Sequence, residues 1–274
     1  MDISRIAFEK LQNTRDLGQF VTVAGQRIKP RRLLRSGSLN DLNLEDRAIL
    51  QNDYQLRTVI DLRTQTERDG EPDSKISHVA YHWIPILDED TIGISQEKCS
   101  SMDGMSQLAV FLMQENFDVK QYMVQTYRHL IASAYSRGQY RKFFDILLSA
   151  PEDGALLWHC SAGKDRAGIA TALVLYALGV APDTIEEDYL ATNTFYTESI
   201  NKLIAVLTEK AGTKDIIPQV YAFFSVAPEY LDAVLRIIQT EFGGMDVFLE
   251  QEMGLDAEKR QALRTKFLMP MEKK

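Results

Sequence analysis

One stretch of the chain sets a thiol and a guanidinium with five residues between them: Cys160-Ser161-Ala162-Gly163-Lys164-Asp165-Arg166. An apolar run, Ala155-Leu156-Leu157-Trp158-His159, leads into it, and an apolar helical pattern starts at about Arg166. Strand, tight loop and helix in that order turn successive backbone N–H groups inward and make an anion cradle. A helix N-terminus and a nearby arginine are the surroundings that turn a cysteine into a thiolate nucleophile, the role expected of Cys160. Arg166 offers a planar fork that grips two phosphate oxygens. Ser161, Ala162, Gly163 and Lys164 are the candidate anion-binding positions, with Gly163 letting the backbone close around the anion. A Cys-x5-Arg spacing alone arises often by chance; the flanking strand and helix patterns make it specific.

The loop needs a sheet edge to stand on. Leu56-Arg57-Thr58-Val59-Ile60-Asp61-Leu62 reads as a central strand, which delivers Asp61 and Arg63 to the edge where Cys160 should lie, as supports for the loop. Val79–Leu87 reads as another strand, with His78 and His82 on one face; two cysteines and no matching carboxylate spacing argue against a metal there. Phe20–Ile28 suggests a hairpin. Lys29, Arg31, Arg32 and Arg35 form a basic cluster that is either a solvated face or a substrate-facing rim, and Arg15 with Asp16 could be a surface ion pair. Helical periodicity covers 119–134, 140–147, 166–179, 183–193, 196–211, 228–242, 244–252 and 256–268. The expectation is an α/β fold with a short, largely parallel sheet of about four to six strands flanked by helices.

A chain of 274 residues with 45% hydrophobic content can bury one core, so residues 1–274 are expected to form a single domain. With a formal net charge of −8 the surface as a whole is expected to repel nucleic acid and anionic membrane, leaving phosphate attraction to local cations; neither nucleic acid binding nor stable membrane insertion is expected. Two distant cysteines, Cys99 and Cys160, suggest a reducing compartment. The first residues lack a signal-peptide pattern, and the longest apolar run, Ala167 to Ala181, is too short to span a bilayer. A cytoplasmic protein is expected, with leaderless export left open. Residues 91–117 combine a Gly/Ser-rich segment with an apolar helical pattern from Met105, which is either a lid or a core helix on a loose loop.

His159-Cys160-x-x-Gly163-Lys164-Asp165-Arg166 resembles the loop of cysteine-dependent protein tyrosine and dual-specificity phosphatases, in the bacterial and fungal branch with Lys-Asp inside the loop. Asn13-x-Arg15-Asp16-Leu17-Gly18, Arg35-Ser36-Gly37, Ile60-Asp61-Leu62-Arg63 and Asp188-Tyr189-Leu190-x-x-Asn193 are similar to that branch in the same order. The resemblance implies hydrolysis of a phosphomonoester through a cysteinyl-phosphate, without cofactor or metal, on a phosphotyrosine protein or, as some members do, a phosphoinositide. It also implies a possible helical lid over 91–135. A general acid must reach the leaving oxygen; Asp165 ranks first and Asp88, after Trp83 and Pro85, second. Lys164 would add a second cation at the rim, favouring multiply phosphorylated substrates. Ala167 departs from the Ser or Thr usual after the loop arginine, which implies slow breakdown of the phosphoenzyme. A catalytically weak phosphate-binding module and a sulfur transferase are the other readings.

Overall fold

The computed structural model describes residues 5–88 and 102–270. Its centre is a five-stranded sheet of β1 (Arg15–Asp16), β2 (Leu33–Ser36), β3 (Thr58–Asp61), β4 (Ala80–Trp83) and β5 (Leu156–His159), in the order β1-β2-β5-β3-β4. β1 is antiparallel to β2; the other pairings are parallel. Register aligns Ser36, His159 and Asp61 across β2, β5 and β3, so three strands end together where Cys160 begins. Ligands of open α/β sheets collect at such carboxyl ends.

The side chains of the central strands alternate as a pleat requires. Leu33, Ile60, Leu156 and Trp158 enter the larger core, while Leu34, Val59 and Leu157 join Phe8, Leu39, Leu50 and Leu56 on the opposite face. With both faces covered, β5 has no polar residue until His159.

Two short helices, α1 (Leu44–Ala48) and α2 (Gln65–Gly70), lie between the strands. The rest are α3 (Met102–Leu112), α4 (Val119–Ala132), α5 (Ala134–Ser149), α6 (Arg166–Leu178), α7 (Pro182–Ala211), α8 (Ile217–Phe224), α9 (Pro228–Glu241), α10 (Met245–Gln251) and α11 (Ala257–Phe267). α6 is apolar around its whole circumference, the signature of a helix enclosed by others. It packs against α7 and α11, while α4 packs against α5, α8 and α9.

Several expectations are corrected. Residues 183–193 and 196–211 are one helix, because Asn193 turns its side chain outward: Oδ1 accepts from Val226 N at 2.8 Å and Nδ2 donates to Val226 O at 2.8 Å. The backbone of α7 is thus spared the competition by which asparagine usually ends helices. The 20–28 hairpin, by contrast, forms as expected in short form: Val21 bridges Arg27, Thr22 N donates to Gln26 O at 2.7 Å and Ile28 N to Phe20 O at 2.9 Å, while Ile28 also bridges Leu268. His78 lies before β4 with a positive φ of 64°, so it shares no strand face with His82. α4 buries Val119, Met123, Tyr127, Leu130 and Ile131, which makes the second half of the 91–135 segment core. α3 buries Leu108 and Leu112 and packs on α7. The preceding part of the lid expectation, and Cys99, lie outside the described residues.

Candidate active site

Between β5 and α6, the loop is held by its carbonyl groups. Ser161 O accepts from Ser38 N at 2.9 Å, Ala162 O from Asn13 Nδ2 at 3.0 Å, and Gly163 O from an Arg35 terminal nitrogen at 2.6 Å. In a trans peptide N–H opposes C=O. Three consecutive carbonyls drawn toward the surrounding protein therefore turn the amides of Ala162, Gly163 and Lys164 the other way, into the cradle. Gly163 adopts φ 68°, and a Cβ there would stand 2.4 Å from Ser36 O, so glycine is required twice over.

Arg35 is fully buried rather than part of a solvated cluster or rim. Its guanidinium reaches Asp188 at 2.7 Å, and Arg15 reaches the same carboxylate at 2.8 Å. The Arg15–Asp16 surface pair is likewise corrected: Asp16 accepts Gly18 N at 2.9 Å and Arg31 N at 2.7 Å. Burial lowers Arg15 to about 10, with Arg35 adding to the effect and Asp188 opposing it. Burial pushes Asp188 up, but its two arginines outweigh that and hold it below the usual carboxylate range. One carboxylate between two guanidiniums leaves net positive charge beneath the loop.

A second buried network lies behind Cys160. Arg63 pairs with Asp61 at 2.9 Å and Asp73 at 2.8 Å, and His159 Nε2 meets Asp73 at 3.0 Å. His159 Nδ1 faces the Cys160 carbonyl at 3.2 Å. Both ring nitrogens look at acceptors, which only the imidazolium satisfies. Burial opposes that charge, yet Asp61 and Asp73 raise His159 above its ordinary value. Asp61, Asp73 and His159 come close enough to suggest a cation site, but the Arg63 guanidinium already binds both carboxylates. Asp61 and Arg63 are paired with each other, and Arg63 also donates to Ser38 Oγ at 3.0 Å, the residue whose backbone N–H holds the Ser161 carbonyl.

Glu67 escaped the sequence reading. It closes a capping box with Thr64 at the start of α2, and its two carboxylate oxygens take the two terminal nitrogens of Arg166. Ser161 Oγ donates to Glu67 at 2.6 Å. Glu67 therefore aims the arginine. The pattern Thr64-x-x-Glu67 directly after a strand was the available signal.

Cys160 is buried and unpaired with another thiol. Lys164 is corrected: it is fully buried and its Nζ donates to Asp165 Oδ1 at 2.8 Å, so it is no rim cation. Asp165 is partly open, with 22% of its side chain exposed. Asp88 follows β4, which β3 separates from β5 in the sheet. Ala167 is buried in the first turn of α6. Together these groups can bind a tetrahedral dianion, attack it with sulfur and deliver a proton from a carboxyl.

The profile of the tyrosine phosphatase family matches residues 6–269. A Cupriavidus necator protein named as a tyrosine-protein phosphatase is 30% identical over 255 residues, covering 92% of this chain and 85% of that protein. The triple-specificity protein phosphatase PtpB of Mycobacterium tuberculosis is 27% identical over 262 residues, covering 86% of this chain and 90% of its own. A tyrosine-protein phosphatase of Nostoc commune is 28% identical over 141 residues, about half of this chain (51%).

Proposed function

The chain belongs to the tyrosine phosphatase family, and we propose from this premise that Cys160 is its nucleophile and Arg166 its phosphate clamp. The single observation that carries the assignment is the loop whose three carbonyls are tied outward around a buried cysteine. The Cys160 thiolate attacks phosphorus, and the ester P–O bond breaks as the S–P bond forms. Arg166, aimed by Glu67, and the loop amides hold the oxygens while charge spreads over them. Asp165 protonates the leaving oxygen, and its tie to the loop favours it over Asp88. Water then attacks phosphorus and the thiolate leaves. Ala167 offers no hydroxyl to that departing sulfur, so this second step is the slow one.

The substrate we infer is a phosphotyrosine protein. The names of the Cupriavidus and Nostoc relatives point that way, and with Lys164 occupied by Asp165, the residue expected to favour a second phosphate is consumed inside the fold. The chain acts as one phosphatase domain. Among the described residues no helix is long and apolar enough to cross a membrane, and a nucleophilic thiol that must stay reduced favours the cytoplasm.

The test is phosphate release from an aryl phosphate, with chelator present, by wild type and Cys160→Ser. Turnover by the wild type alone, as a burst followed by a slower steady rate, is the expected result. Equal turnover by both proteins would overturn the assignment.

A further inference from the structure

Asp165 is surrounded by phenols from four helices. Tyr127 of α4 donates its hydroxyl to Asp165 Oδ1, and Tyr189 of α7 donates in turn to the Tyr127 oxygen at 2.8 Å. Tyr140 of α5 reaches the Arg166 carbonyl at 3.3 Å, and Tyr230 of α9 stacks obliquely on the Tyr127 ring with centroids 5.3 Å apart. Tyr127, Tyr140, Tyr189 and Tyr230 are all at most 1% exposed. Tyr196 of α7 also feels the Asp165 charge, and Lys164 is the cation in contact with it. Of these four hydroxyls, those of Tyr140 and Tyr230 donate to the backbone carbonyls of Arg166 and Ala222, whereas Tyr189 and Tyr127 form a chain that ends on the Asp165 carboxyl.

Two donors, Tyr127 and Lys164, converge on the same oxygen, Oδ1. When the carboxyl is protonated, an oxygen that accepts twice serves as the carbonyl oxygen, so the proton sits on Oδ2. We propose that Tyr127 is a positioning residue: by donating to Oδ1 it fixes the rotation of the Asp165 carboxyl, so that Oδ2 carries the transferable proton, and Tyr189 orients Tyr127. Burial, with Asp165 adding to it, pushes the Tyr127 phenol well above its ordinary range, so it stays a donor throughout neutral pH. In the first step the Oδ2–H bond breaks and the leaving ester oxygen takes the proton, leaving a carboxylate. In the second, Oδ2 takes a proton from the water that attacks phosphorus.

This proposal rests on the phosphatase reading, and the experiment separates the two. kcat/KM is measured for phenyl phosphate, whose leaving group needs a proton, and for dinitrophenyl phosphate, whose leaving group does not. Wild type, Cys160→Ser, Asp165→Asn, Tyr127→Phe and Tyr189→Phe are compared. Asp165→Asn should lose far more on the phenyl ester. Tyr127→Phe should repeat that preference in reduced form, losing about tenfold more on the phenyl than on the dinitrophenyl ester. Tyr189→Phe should show the same direction at smaller size, and it carries the test alone if Tyr127→Phe does not fold. Equal losses on the two esters, or none, by the tyrosine variants would overturn the proposal while an inert Cys160→Ser leaves the phosphatase reading intact. An Asp165→Asn variant indifferent to the ester would overturn it as well, moving the acid to Asp88. Activity retained by Cys160→Ser would bring down the reading itself.

Discussion

Glu67 holds the loop arginine through both of its oxygens, caps α2 and receives Ser161. Arg166 therefore arrives at the cradle already oriented, and a phosphate need not freeze its rotamers. Replacing Glu67 by Gln keeps the shape but removes the charge and one acceptor. The expected outcome is a fall in kcat/KM on an aryl phosphate of about 100-fold, the scale of an ångström-sized misplacement of a clamp. The loss should be accompanied by a stability decrease of about 2–3 kcal/mol, below the range for fully buried pairs because Arg166 is slightly exposed. Steady-state kinetics and a thermal melt check both; an unchanged kcat/KM would mean that the loop aims Arg166 unaided.

At the scale of elements, Asp188 is the joint. It lies on α7 and binds Arg15 of β1 and Arg35 of β2, and Arg35 continues to the Gly163 carbonyl. Asp188→Asn would leave two buried guanidiniums sharing a neutral amide, costing about 3–5 kcal/mol. A denaturant melt with unchanged slope and a lowered midpoint is the expected reading. That joint also shows what the sequence could and could not convey. The nucleophile strand, its neighbour β3 and, except for the short α8 (Ile217–Phe224), the helices from α4 onward are legible, because each is announced by a run of apolar residues at its own period. The burial of Arg35 is not, since its partner is 153 residues away and local pattern shows only a cluster of cations. Lys164 misled differently: its partner Asp165 is adjacent, but the α4 phenol that shares the same carboxylate oxygen is 38 residues from Asp165, and a lysine in a polar loop looks exposed without it. Asn193 looked like a helix end because its partner, Val226, lies 33 residues away in the connection between α8 and α9. The site was readable where residues act through the backbone beside them and opaque where they act through distant side chains.

For the molecule as a whole, the buried pair of His159 and Asp73 ties stability to pH. Burial opposes charge on both, yet each partner, with Arg63 beside Asp73 and Asp61 beside His159, prevails: Asp73 is held below its ordinary 3.8 and His159 above its ordinary 6.5. The Asp73 contribution is complete above 3.8 and disappears as pH falls through the lowered value; the His159 contribution is complete below 6.5 and disappears as pH rises through the raised one. The melting temperature of wild type minus that of Asp73→Asn should be largest between those two values and shrink on the alkaline side. A difference that grew with rising pH would contradict the charged pair. The loop's carbonyl anchors have one more consequence. They come from Ser38, Asn13 and Arg35, and Arg35 is itself held by Asp188 beyond α6. During synthesis, Cys160 emerges well before Asp188 does. A nascent chain that ends between them carries the thiol without the carboxylate that holds Arg35, so the anchoring of the loop is completed only after Asp188 has followed.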